Sequence, residues 1–321
     1  MSSLTTTAYA RAGLLGNPSD VCGGRTIAFT FRDFAAGVTV ERARGIEAAG
    51  ALLAPLLGDA VAPGLARRQH GASALLAAAL KTLADRIPRL RELPSDEGVR
   101  LHVASDVPRQ VGLAGSSAIV VAGLRALSAW FGLALAPAVV AELAWRAETD
   151  ELGIAAGPMD RVVQAHEGLL AMDFGGPWTH VALDPACLPP IFIAWDPEPG
   201  RDSGTVHGPV RARWERGEPD VVAVVAELGR LAAEGVDVLR RRDAGRLSRL
   251  VERNFELRAQ VWGLDPRDAE LVDIGRRRGA AVKLAGSGGA VVGVVRDEQQ
   301  GATVAEAYRD AGCGFLRPRV A

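Results

Sequence analysis

A chain of 321 residues, 48% hydrophobic and 23% charged, can bury a large core and is too apolar to remain disordered. Its 37 basic and 38 acidic residues leave a formal net charge of -1, which argues against a nucleic-acid partner. Cys22, Cys187 and Cys313 lie too far apart for a disulfide framework or a CxxC metal site. With no secretory leader and no bilayer-length apolar run, a soluble cytoplasmic protein is expected.

The β-branched and aromatic residues of 26–31 and 37–41 predict strands near the start. An irregular Ala/Gly/Pro-rich stretch follows at 45–68, then helical spacing over 70–87 closed by Pro88. A strand is expected at 99–103 and a glycine-rich loop at 108–117, opening into an apolar helix at 118–131. Pro137 suits the first position of a helix running to about 152. A helix at 159–166 and a strand at 169–174 complete the first half. The proline-rich stretch 184–190 marks a boundary between domains at 1–187 and 188–321. Beyond a strand at 191–195 come amphipathic helices at 219–242, 244–262 and 266–278. Strands at 281–285 and 290–295, a helix at 299–312 and a last strand to 317 end the chain. Strands and helices mixed in both halves indicate an α+β fold.

Three glycine loops carry the chemical signal. In Val107-Pro-Arg-Gln-Val-Gly-Leu-Ala-Gly-Ser-Ser-Ala118, a glycine turn entering a helix aims backbone N–H groups at one spot, which suits a phosphate. Ser116 and Ser117 add hydroxyls for phosphate or Mg²⁺; taken alone, the loop fits an ordinary Ser cap equally well. Lys283-Leu-Ala-Gly-Ser-Gly-Gly-Ala290 joins two strands with more glycine than a tight hairpin needs, which favours backbone approach to a ligand. Ala10-Arg-Ala-Gly-Leu-Leu-Gly-Asn-Pro-Ser-Asp20 ends a strand in a polar cluster, where Asn17, Ser19 and Asp20 could equally be turn formers. Neither GxxxxGK[ST] nor a GxGxxG after the first strand is present, and Asp173-Phe-Gly175 lacks the other kinase signatures. Glu148, Asp150 and Glu151 end a helix, where surface charge is the ordinary reading. Asp160 follows Gly157-Pro158 at a helix start, where a carboxylate caps the helix or is aimed into a site.

In order and spacing the three loops together resemble the motifs of the GHMP kinase superfamily. Arg11–Asp20 looks like its first motif, Pro108–Ala118 its second and Lys283–Ala290 its third. The likeness is greatest to the plant-type glucuronokinase branch. It is carried by Tyr9–Val21, Gly24–Ile27, Pro108–Val120, Asp160–Val162, Asp202–His207 and Gly286–Val292. Asn17-Pro-Ser-Asp20 differs from the Glu-His-Thr-Asp-like form of galactokinases, and the second motif carries one residue more than GLGSSA.

The resemblance implies a GHMP kinase fold, an N-terminal domain with a left-handed βαβ crossover packed on a ferredoxin-like C-terminal domain, with ATP and substrate between them. It implies an ATP-dependent kinase acting on the anomeric hydroxyl of D-glucuronate. Other acceptors within the superfamily (galacturonate, galactose, arabinose, mevalonate) and a non-catalytic sugar-binding relative are the alternatives. By the same correspondence Gly112, Leu113, Ala114, Gly115, Ser116 and Ser117 cradle the triphosphate, and Ser117 and Glu148 hold Mg²⁺, with Glu151 the substitute. Asp160 orients or deprotonates the acceptor hydroxyl, and Arg11 stabilises charge on the transferring phosphoryl group. Asn17 and Asp20 hold the sugar, with Gly286, Ser287, Gly288 and Gly289 closing near the phosphates. Arg25 and Arg161 are the arginines expected to meet a carboxylate. His207 and the turn at Asp202–Gly204 are expected to form a lid. Lys81 and Lys283 are the chain's two lysines beside 35 arginines, so a lysine grip on phosphate has few candidates.

Overall fold

Exposure that alternates along residues 3–7, then a buried run from Ala10, give the two-faced and then two-sided packing of a strand that enters a core. In the computed structural model, which describes residues 3–43, 46–48, 51–52, 71–88, 90, 98–198 and 203–321, this is β1 (Ser3–Leu15). It pairs antiparallel with β2 (Arg25–Ala43), a single 19-residue strand where the sequence pattern gives two. Register shifts at Tyr9/Ala10 and Gly13/Leu15 let the pair bend as one long ribbon. The opposite edge of β2 is shared. Residues 25–29 pair with β6 (Leu169–Asp173) and residues 36–43 with β5 (Gly98–Ser105). The chain's last residues fill the gap between them, with Val320 bridged to Phe31.

β3 (Ile46–Ala48) runs parallel to β5 and pairs with β4 (Ala51–Leu52), and β7 (Thr179–Leu183) pairs with β6, making a seven-stranded sheet. The irregular stretch expected at 45–68 otherwise lies outside the described residues. Four helices cover one face: α1 (Ala72–Arg86), α2 (Gly115–Trp130), α3 (Pro137–Arg146) and α4 (Met159–His166). Their apolar stripes meet Val38, Val40, Leu101 and Leu170 of the sheet.

The C-terminal strands β8 (Ile191–Trp195), β9 (Ala281–Leu284), β10 (Ala290–Val294) and β11 (Gly314–Leu316) form a second sheet in the order β11-β8-β10-β9, every neighbour antiparallel. This is the strand order of a ferredoxin-like unit. Between the two sheets lie α6 (Pro219–Arg240) and α7 (Ala244–Trp262), while α8 (Pro266–Arg276) and α9 (Glu298–Asp310) cover the far side. Asp243, Asp265 and Asp297 cap α7, α8 and α9 by accepting from backbone N–H groups, which explains why these helices are well marked in the sequence. Leu14, Ile27 and Phe29 of the large sheet and Ile193 and Val292 of the small one belong to a single buried cluster with Leu228 and Leu250. Each such side chain contributes roughly 2 kcal/mol on burial.

Two segments depart from the sequence pattern. The helix expected to reach residue 152 ends as α-helix at Arg146 and continues as a π-helical turn, Ala147–Glu151. Helix α5 (Ser203–Glu215) stands where a turn was expected from Asp202, itself outside the described residues, to Gly204. Gly204, Gly208 and Pro209 hid it, because each disfavours a helix interior.

Candidate active site

The three glycine loops converge on a cleft of about 1000 Å³. Arg11, Asn17, Asp20, Gly112 to Ser117, Asp160, Arg161, Gly286 and Ser287 line it. Sequence reasoning gave no role to Arg109 and Gln110, which also face the cleft. They sit inside the quoted motif, but nothing in residue type marked them.

The second loop earns its conformation from glycine and two exceptions, one of them Gln110 at φ 55°. Gly112 has φ 73°, and Ala114, immediately before α2, also sits in the left-handed region at φ 61° and ψ 42°. The third loop packs against it backbone to backbone. A Cβ on Gly112 would overlap the Gly288 carbonyl oxygen, and one on Gly286 would overlap the Gly112 carbonyl oxygen. Gly288 and Gly289 do not line the cleft. A Cβ on Gly288 would crowd the Asp268 carboxylate at the start of α8, and the Gly289 N–H donates to Asp268 at 2.7 Å. Much of the third loop's glycine content therefore answers to loop packing, and only Gly286 and Ser287 face the ligand space, which corrects the expectation for Gly288 and Gly289.

At the floor of the cleft Arg11 grips Asp160 through two parallel bonds, Nε to Oδ1 at 2.6 Å and Nη2 to Oδ2 at 2.7 Å. Its Nη1 donates to the Gly112 carbonyl at 2.6 Å, so one guanidinium ties the first loop, the second loop and the head of α4. Burial would raise the Asp160 carboxyl, but the charge and hydrogen bonds of Arg11, with the charge of Arg161, hold it below the ordinary aspartate value. Asp20 behaves oppositely. Burial and the negative charge of Asp160 push it up to about 6, although its carboxylate accepts the Met159 N–H at 3.2 Å. A Cβ on Gly157 would strike that same carboxylate, which accounts for glycine there.

Next to this pair lies a second. Arg161 donates through Nε to Glu148 Oε2 at 2.6 Å, its Nη2 contacts the same oxygen, and its Nη1 donates to the Gly157 carbonyl at 2.9 Å. The Ser116 hydroxyl donates to Glu148 Oε1 at 3.1 Å. Glu148 follows Ala141 and Ala144 by seven and four residues, so it continues the buried face of α3 into the π-helical turn. Glu151 lies beside Lys81 at 3.7 Å, whereas Glu148 accepts from Ser116, so Glu148 and not Glu151 stands next to the second loop. Ser117 has a buried Oγ with no hydrogen-bond partner. An orphaned hydroxyl and a neighbouring carboxylate are an oxygen donor pair of the kind Mg²⁺ takes alongside water and phosphate.

Arg25 falls outside the cleft. Its half-exposed side chain pairs with Asp173 at 2.6 Å across the β2–β6 edge, which corrects its expected contact with substrate. Lys283 is fully buried, donating to the Gly13 carbonyl at 2.9 Å, Asn17 Oδ1 at 2.6 Å and the Leu284 carbonyl at 2.9 Å. It braces the first loop from beneath and cannot reach a phosphate. His207 does face the cleft, from α5.

Residues 73–168 match the family model for the GHMP kinase N-terminal domain and residues 236–312 that for the C-terminal domain. Glucuronokinase 1 of Arabidopsis thaliana is 35% identical over 308 residues, covering 88% of this chain and 83% of its own. The chain belongs to the GHMP kinase family. Among solved structures, Methanococcus jannaschii mevalonate kinase superposes with a TM-score of 0.77 over 100% of this chain and 99% of its own, at 17% identity. Lactococcus lactis galactokinase, complexed with galactose, gives 0.79 over 99% and 93% at 12% identity. These two share the fold of this GHMP kinase. The glucuronokinase likeness is twice as high in identity and spread over most of the chain, and this family member is an ATP-dependent small-molecule kinase. Among the described residues of this GHMP kinase no helix is long and apolar enough to cross a membrane.

Proposed function

We propose that this GHMP kinase transfers the γ-phosphoryl group of ATP to the anomeric hydroxyl of D-glucuronate, yielding glucuronate 1-phosphate and ADP. The observation that carries the chemistry is the Arg11–Asp160 pair, held bidentate beneath the glycine loop and beside Asn17 and Asp20. In this reading the backbone N–H groups between Gly112 and Ser117, at the positive end of α2, face the triphosphate. Asp160, a carboxylate at neutral pH, orients the acceptor hydroxyl and receives its proton as the oxygen bonds to phosphorus. Arg11 keeps Asp160 in place and offsets charge on the moving phosphoryl group. Asn17 and Asp20 hold sugar hydroxyls from the first loop, beside that pair.

Ser117 and Glu148 would hold Mg²⁺, whose charge offsets that of the phosphates when it is bound. Of the two arginines expected to meet a uronate carboxylate, only Arg161 lines the cleft. The division at 187/188 belongs to the same proposal and is supported by the change of sheet between Leu183 and Ile191. So does a cytoplasmic setting, supported by three free cysteines.

The test is a panel of glucuronate, galacturonate, galactose, arabinose and mevalonate with Mg·ATP and coupled ADP detection. Glucuronate is expected to give the highest kcat/KM. Dominant turnover of a neutral sugar or of mevalonate would remove the uronate assignment, and binding of sugar without ADP release would favour a non-catalytic relative.

A further inference from the structure

The roles above leave one buried polar side chain in the cleft without a task. His207 is 8% exposed and lines the cleft together with Asp20, Asp160 and Arg161. Its Nδ1 is shielded from solvent and has no hydrogen-bond partner. A buried ring nitrogen left unsatisfied is costly, and in a cleft a ligand is the natural partner.

The helix fixes where this ring points. Val210 and Trp214 follow His207 by three and seven residues and so share its face of α5. Val210 packs with Val21 and Cys22 in a small apolar cluster, and Trp214 packs against it. That face is thereby seated on the turn that carries Asp20. On the helix's flank, a Cβ on Gly208 would lie 3.7 Å from Ala155 Cβ, so α5 also abuts the segment leading to Asp160.

The surrounding charges fix the ring's protonation. Burial first, then the positive charges of Arg258, Arg11 and Arg161 opposed by Asp160, push the imidazole down to about 3. At neutral pH it is uncharged, with one N–H donor and one acceptor nitrogen. A carboxylate or phosphate oxygen only accepts and is better served by a cation; a hydroxyl both gives and receives, as this ring does.

We propose that His207 is a specificity-determining residue that hydrogen-bonds a non-reacting hydroxyl of the sugar acceptor. The inference rests on the sugar-kinase reading above. The hydroxyl is not the reacting one, because that oxygen must turn its lone pair to phosphorus and its proton to Asp160. Recognition of the acceptor is then divided: Asn17 and Asp20 from the first loop, His207 from α5 on the C-terminal side of the cleft.

The experiment is steady-state kinetics of the purified protein and of His207→Ala and His207→Asn, with the best sugar of the panel and its single-deoxy analogues. His207→Ala is expected to raise the sugar KM about ten- to a hundredfold while the ATP KM stays within about twofold. His207→Asn, which keeps a donor and an acceptor, should recover most of that loss. For one deoxy analogue, wild type and His207→Ala should become equal. Melting temperatures establish that each variant is folded, and if His207→Ala is not, the wild type and His207→Asn across the deoxy series carry the comparison. A sugar KM within about twofold of wild type, an equal rise in ATP KM, or no deoxy analogue that erases the difference overturns the proposal. If wild type turns over no sugar at all, the kinase reading falls and this one with it; if it does and His207→Ala changes nothing, this one falls alone.

Discussion

Two arginine–carboxylate pairs sit side by side, with Asp160 lining the cleft and Glu148 not, and they differ in what they leave open. The side chain of Asp160 keeps 17% of its surface exposed, that of Glu148 only 1%. Arg11 closes Asp160 from beneath and leaves its upper side to the ligand space. Arg161 and Ser116 close Glu148 from both of its oxygens. Chemically similar pairs thus divide the labour: one presents a carboxylate, the other holds the Gly157 segment against the π-helical turn. A buried ion pair says little about function until its remaining open face is known.

Substitutions that convert one pair toward the other test this division. Asp160→Asn removes the proton acceptor while keeping the shape. We expect kcat to fall about a thousandfold with the sugar KM little changed, and a drop of only a few-fold would strip Asp160 of its role. Glu148→Gln should act mainly on the fold, since it leaves the Arg161 charge buried without its partner. A loss of about 3–5 kcal/mol in denaturant unfolding is expected, together with a higher Mg²⁺ requirement. A variant as stable as wild type would mean the pair is not structural.

Gly112→Ala strains the loop above both pairs, at φ 73° and against the Gly288 carbonyl. The ATP KM should rise about tenfold, equivalent to about 1.4 kcal/mol, while the sugar KM holds. Asp20 supplies a test by pH. Its carboxyl is raised to about 6 in the fold, so the fold binds its proton more tightly than the unfolded chain does. That contribution is complete below about pH 4 and is lost as pH rises through about 6. Asp20→Asn should flatten this part of the stability curve, and parallel curves for the two proteins would contradict the assignment. The smallest effect belongs to Arg25→Ala, an exposed pair worth at most about 1 kcal/mol. Sugar kinetics within about twofold of wild type are expected, and a large rise in KM would return Arg25 to the site.

What the sequence made legible was local. Loop order, the glycine turn before α2, Asp160 at a helix start and the Asp-capped helices α7–α9 are each written in a few adjacent residues. What it hid depends on pairs distant in the chain. The helical pattern runs on through Glu151 without a break, so the π-helical turn at Ala147–Glu151 leaves no mark. Gly288 and Gly289 looked like ligand contacts because a glycine needed against Asp268 is spelled the same way as one needed against a phosphate. Among 35 arginines, nothing nearby separates Arg25, tied to a sheet edge, from Arg161, tied to the site. α5 was obscured by its own Gly204, Gly208 and Pro209, and with it the position of His207.

The burial of Lys283 has a practical side. With that amine sealed beneath the first loop, Lys81 on α1 is the one side-chain amine left within reach of an acylating reagent, its side chain 20% exposed. The residues that open α1, Gly71, Ala72, Ala74 and Leu75, border the cleft. Amine-reactive dyes would therefore seat a reporter on the helix flanking the ligand space, on a surface whose positive charge is almost wholly guanidinium and invisible to such chemistry.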